Sequence, residues 1–151
     1  MSQRGITMRQ LYFLIALLTV TMLSMTGESL STMNMADMHQ AESLLSEYFN
    51  MLENGNTSGV LNLLTGPMLK NNQNLLRNNS TYADFLRERY RNCSFLITKY
   101  KLIDTSKSVV DVVIMLDTRE EISIRFTLLA ERDRLKISAE EEISTVGGNK
   151  Q

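Results

Sequence analysis

From Ser94 to Ala139 the chain reads as four consecutive strands: SFLITKYKLID, SVVDVVIMLDT, EEISIRFTLLA and DRLKISA. In the second, Val110, Val112, Ile114 and Leu116 alternate with Val109, Asp111, Val113 and Met115. In the third, Ile122, Ile124, Phe126 and Leu128 alternate with Glu121, Ser123, Arg125 and Thr127, the period of a strand buried on one face only. In the fourth, Leu135 and Ile137 point one way, Arg134 and Lys136 the other. The links after Asp104, Asp117 and Glu131 are short and polar. Parallel neighbours need a long crossover, so these strands form an antiparallel meander. A sheet that is apolar on one face must be covered there, and the preceding chain reads as helices that cover it.

That preceding chain is helical in pattern. Ala41, Leu44, Leu45, Tyr48, Phe49 and Leu52 fall on one stripe of a helix running from about Met35 to Glu53. Asn34 is placed to cap it, with Asp37 in its first turn. Asn54-Gly55-Asn56 ends it, the glycine supplying a left-handed position. Asn56 or Thr57 then caps a short helix, SGVLNLLTG, which Gly66-Pro67 breaks. Met68 to Asn79 is rich in asparagine and fits a weak helix or an irregular loop. Ser80 is placed to cap a further helix, TYADFLRERYRN, with Tyr82, Phe85 and Leu86 on one face and Arg87 and Arg91 along an edge. Glu140 to Glu142 is a solvated charge run, and residues 145–151 form a disordered tail by composition.

Ahead of this domain, Arg4 and Arg9 precede an uncharged apolar run from Leu11 to Met25. A basic start followed by such a run has the form of a signal peptide, and it also approaches the roughly 20 residues that span a bilayer. Cleavage after Ser29 or Ser31 gives a released domain; no cleavage gives a membrane anchor through Leu11–Met25. No cysteine follows the run, which excludes a lipoprotein anchor. In both cases the basic end stays cytoplasmic and the domain is exported, to the periplasm or beyond. The expected division is therefore leader or anchor over 1–27, polar linker over 28–34, folded domain over 35–144 and tail over 145–151.

Composition removes several chemistries. A net charge of −1 offers no basic field for a nucleic-acid backbone. One cysteine, Cys93, and one histidine, His39, leave no intrachain disulfide and no cysteine-based zinc cluster. There is no phosphate-binding glycine loop and no HExxH or GxSxG motif. No metal and no cofactor are expected. Cys93 reads as a small buried hydrophobe, although the neighbouring Arg91 is of the type that lowers a thiol pKa.

In order and pattern the chain resembles the nuclear transport factor 2-like superfamily. The phrases that carry this are AESLLSEYFNMLENGNTSGVLNLL, TYADFLRERY and ISIRFTLLAERDRLKIS. It is most similar to small exported bacterial members of unknown function. The resemblance spans about Met38 to Ile143. It implies an α+β fold: an N-terminal hydrophobic helix, then about three helices packed on a curved four-stranded antiparallel sheet, the cystatin-like or nuclear transport factor 2-like cone.

The resemblance also allows the enzymatic branches of the superfamily to be tested against these residues. Tyr48 lies about where the steroid-isomerase branch carries its oxyanion-donating tyrosine. That branch's base would fall near Asn71 and Asn72, where no acid stands. The dehydratase branch needs a buried histidine and aspartate, and His39 lies outside the apolar stripe. No catalytic residue is assigned. A pocket lined by Tyr48, Leu52, Asp84, Phe85, Ile114, Ile124 and Phe126 is expected, suited to a small apolar ligand. The outer sheet face carries Val109, Val113, Met115 and Leu129 among charges, which predicts a homodimer through the sheet. The leading expectation is a non-enzymatic binding domain. The alternatives are an isomerase or lyase using Tyr48 and Asp84, and a bitopic scaffold subunit of an envelope or secretion complex.

Overall fold

A computed structural model of the chain describes residues 35–146. The leader or anchor, the linker and the Asn34 cap lie outside the described residues. Among the described residues no helix is long and apolar enough to cross a membrane. The described residues from Met38 onward form one compact unit.

Helix α1 is described over residues 35–53. It is followed by α2 (Thr57–Leu63), α3 (Gly66–Asn78) and α4 (Ser80–Arg89). Strands β1 (Ser94–Asp104), β2 (Lys107–Met115), β3 (Glu121–Glu131) and β4 (Arg134–Val146) then form one antiparallel sheet in the order β1-β2-β3-β4. All six residues of the α1 stripe are buried. So are Val110, Val112 and Ile114 of β2 and Ile122, Ile124, Phe126 and Leu128 of β3. The two apolar surfaces meet through aromatic rings. Phe126 lies edge-on to Tyr48 and Phe49, with centroids 5.9 and 6.2 Å apart, and Phe49 reaches β1 with its centroid 5.0 Å from that of Phe95.

The α1–α2 turn follows the sequence closely. Gly55 has φ +63°, and the Asn56 side chain accepts from the Gly59 N–H at 2.9 Å to start α2. The next junction differs from expectation. Gly66-Pro67 does not merely end α2; it opens α3, where proline fits the first turn because its missing N–H would have no helical partner. The asparagine-rich segment is accordingly a full helix of 13 residues, making four helices among the described residues. Met68 and Leu76 anchor it, and α3 packs on α2, α4 and β4. Packing thus overrides a weak intrinsic preference. The cap of α4 is Asn79, not Ser80: the extended Asn79 accepts from the Tyr82 N–H at 3.2 Å. Both residue types cap well, so the sequence alone does not separate them.

The largest departure lies in β4. The strand does not stop at Ala139 but pairs with β3 as far as Val146, opposite Glu121. It carries two bulges. Leu128 faces Ile137 while Thr127 faces Ala139, which leaves Ser138 as an extra residue; Ile124 faces Glu142 while Ser123 faces Ser144, which leaves Ile143 extra. Each extra residue inverts the alternation of the strand beyond it. Continued from Ile137, the simple period puts Glu141 on the helix side and Glu140 outside. The bulge at Ser138 reverses this: Glu140 pairs with Phe126, a core residue, and Glu141 pairs with the outward Arg125. Glu140, Glu141 and Glu142 are all exposed as residues, but Glu140 stands on the helix side of the sheet.

One consequence tests the α1–α2 turn. A Cβ at Gly55 would stand 2.6 Å from the Ala83 carbonyl oxygen and 2.8 Å from Arg87 Nε, in a backbone conformation that L-residues rarely adopt. Gly55→Ala is expected to destabilise the domain by roughly 1–3 kcal/mol, read as a lower urea midpoint at unchanged slope. An unchanged midpoint would show that this turn is not held as described.

Candidate functional site

The helix layer and β4 leave a cavity of about 340 Å³ between them. Tyr48 and Leu52 of α1 form one wall, and Val60 and Leu64 extend it along α2. Met68, Asn71, Asn72 and Leu76 come from α3; Tyr82, Leu86 and Tyr90 come from α4 and its end. Ser138, Ala139 and Glu140 of β4 close the remaining side. That side is fixed by two attachments. The α2–α3 junction bridges to β4, with Leu64 beside Ile137 and the Thr65 N–H donating to the Ile137 carbonyl at 2.9 Å. Ser138 Oγ donates to the Thr127 carbonyl at 3.1 Å, holding the bulge against β3.

The polar centre of the cavity is Glu140. The Tyr48 hydroxyl donates to its Oε2 over 3.3 Å, a long bond. As a residue Glu140 is exposed. Its carboxylate end, however, is turned against the cavity wall and crowded by protein. This partial desolvation pushes its pKa above the ordinary 4.5; Glu142 adds to the rise and the Tyr48 hydrogen bond opposes it. The tyrosines respond to the same environment. Burial first, then the charge of Glu140, raises Tyr48 well above its usual value and Tyr90 to about 12. Tyr82 is raised by the same two causes. All three phenols are protonated at neutral pH, each near one carboxylate.

The expected pocket residues divide. Tyr48 and Leu52 line the cavity. Ile114, Ile124 and Phe126 lie beneath it in the core. Phe85 is 52% exposed and stacks on Tyr82 with a centroid distance of 5.6 Å. Asp84 faces solvent in an ion pair with Arg87 one turn along α4, so it does not converge with Tyr48. Phe85 and Asp84 face outward because Leu86 is the residue that α4 turns to the core. Sequence reasoning missed Glu140, Tyr82 and Tyr90 as neighbours. The available signal was Ile143 and Val146, which let the strand pattern run on past the acidic triplet. Cys93 is held above its usual pKa by burial and by Glu53, so its thiol is protonated and unreactive at neutral pH; Arg91 pairs instead with Glu88. No group of His, Cys, Asp and Glu among the described residues could hold a metal ion.

The four-stranded meander under a helical layer, with a cavity between them, is the nuclear transport factor 2-like fold. The chain is similar to a solved structure of an NTF2-like protein of unknown function from Shewanella baltica OS155, with a TM-score of 0.54 at 11% identity, covering 76% of this chain and 97% of that one. At that identity the likeness is one of fold. No family model matches the chain, and no curated protein matches it by sequence.

The raised pKa of Glu140 has a definite sign in stability. A carboxyl whose folded pKa lies above its unfolded value contributes stability below the unfolded value, and that contribution is lost as pH rises through the folded one. Glu140→Gln keeps an acceptor for Tyr48 and removes the titration. Its melting temperature relative to wild type is expected to become more favourable as pH rises from the ordinary carboxyl value of 4.5 towards neutrality. A difference that stays flat over that range counts against a desolvated Glu140.

Proposed function

We propose that this chain is a non-enzymatic binding domain that takes a small ligand in the cavity against α1, α3, α4 and β4. The observation that carries the reading is the composition of the wall. Leu52, Val60, Leu76 and Leu86 supply apolar surface, while Tyr48, Tyr82, Tyr90 and Glu140 supply a few convergent polar groups. Binding pockets combine these two features and begin at roughly 300 Å³. The test is an NMR titration with a set of small fragments. Shifts are expected to cluster at the cavity residues and to vanish in Asn71→Trp, which places a large side chain at an exposed position of the wall. Fragments that bind elsewhere, or not at all, overturn the reading.

An isomerase or lyase remains the second reading, with its residues reassigned. Asp84 is too far outside to serve, and the acid–base pair would be Glu140 and Tyr48. Their bond to each other favours binding over catalysis, because each group already occupies the other.

We further propose export with the domain outside the cytoplasmic membrane, and a homodimer through the outer sheet face. The Leu11–Met25 run supports the first. The second is supported by a charge row across all four strands, Lys99–Asp111–Arg125–Glu141. Arg125 grips Asp111 with two bonds of 2.7 and 3.0 Å, and this pairing, with Lys99 nearby, holds Asp111 below its usual pKa. The alternating row is self-complementary about a two-fold axis parallel to the strands between β2 and β3: Lys99 meets the partner's Glu141, and Asp111 the partner's Arg125. Native mass spectrometry of protein taken from its own envelope reads both proposals. A dimer of chains starting near Leu30 or Thr32 means a released domain; full-length chains from the membrane fraction mean an anchored one and favour a scaffold role. Glu141→Lys is expected to weaken the dimer roughly 3–10-fold. A monomer at tens of micromolar removes the dimer.

A further inference from the structure

We propose that the ligand of this cavity is a small organic cation, an amine or quaternary ammonium on a compact apolar body, with its charged end at Glu140. This rests on the binding reading above and names its chemistry. The first argument is charge. Glu140 is the one acidic side chain in the described wall, and none of the described residues lining the cavity is Lys, Arg or His. Among the ion pairs of the described residues none includes Glu140. Its single side-chain bond, from Tyr48, is long. A crowded carboxylate without a cation is a cost that a cationic ligand relieves and a neutral one does not. Arg89 bonds to Tyr90, but it is exposed and is not among the residues that line the cavity.

The second argument is the company Glu140 keeps. Three tyrosines, from α1, α4 and the residue that caps the end of α4, share its cavity. Aromatic faces carry negative potential that attracts a cation, and phenol oxygens add acceptor lone pairs. An anion finds hydrogen-bond donors here, in Asn71, Asn72 and the phenols, but no cationic side chain among the described lining residues, and the first turn of α3 presents Pro67 to the cavity in place of an N–H. The third argument is the apolar remainder. Leu52, Val60, Leu76 and Leu86 accept methyl or methylene groups, so a bare metal ion or ammonium would leave most of the wall unused.

The test compares three probes of one shape on the full chain: choline, its neutral carbon isostere 3,3-dimethylbutan-1-ol, and the anion 3,3-dimethylbutanoate. Titration is followed at the amides of Leu52, Leu76, Tyr82 and Ala139. Choline is expected to bind at least about tenfold more tightly than the alcohol, and the anion not to bind. Glu140→Gln is expected to erase the preference, while Asp84→Asn, at a carboxylate that faces solvent beside Arg87, keeps it. If the alcohol or the anion binds in the cavity as well as choline does, the cation proposal falls and the binding reading stands. If none of the three shifts these amides while the fragment set does, the cation proposal alone falls. If no fragment does either, both fall. The comparison of the three probes on wild type decides the matter even where Glu140→Gln does not fold.

Discussion

The constraint on which the rest depends is the burial of one face of α1 on the inward rows of β2 and β3. Fully burying a large apolar side chain contributes roughly 1.5–3 kcal/mol, and this contact buries several on each side. Phe126, with no exposed surface, sits between Tyr48 and Phe49 and fixes how far along the sheet the helix lies. Tyr48 belongs to that stripe by its ring. Its hydroxyl is then carried inside and needs a partner, which β4 supplies in Glu140. The packing contact and the polar centre of the cavity are thus joined in one residue.

A single residue of register decides whether that centre exists. The bulge at Ser138 is held from both sides, by the Thr127 carbonyl within the sheet and by the α2–α3 junction on Ile137. Beyond it the strand presents Glu140 and Glu142 in the rows of Phe126 and Ile124 rather than outside. Bulges recur where a strand must re-aim a side chain, and this one turns Glu140 from the outer face to the cavity wall. The same inversion places Glu141 at the end of the outer charge row, so one local irregularity shapes both faces of the sheet.

The helix layer shows a related division of labour. α1 is specified by its own stripe, and the turn after it by Gly55 and Asn56. α3 is not: its asparagines favour a helix weakly, and its buried contacts are Met68 and Leu76. It is an element formed by its neighbours, and it lends Asn71 and Asn72 to the cavity.

By itself the sequence determined the fold class, the meander, the inward register of β2 and β3, and the stripe by which α1 meets them. These follow from periodicity, which is local and repeats over many residues. It also placed Tyr48 and Leu52 at the cavity, because both lie on that stripe. Only the tertiary structure decided that Asp84 and Phe85 face away, since a short helix with one buried residue can be rolled without violating its pattern. Only the tertiary structure brought Glu140, Tyr82 and Tyr90 to Tyr48. A bulge has no periodicity of its own: its position depends on what the neighbouring strand and the helix junction hold in place, and neither is visible from the acidic triplet.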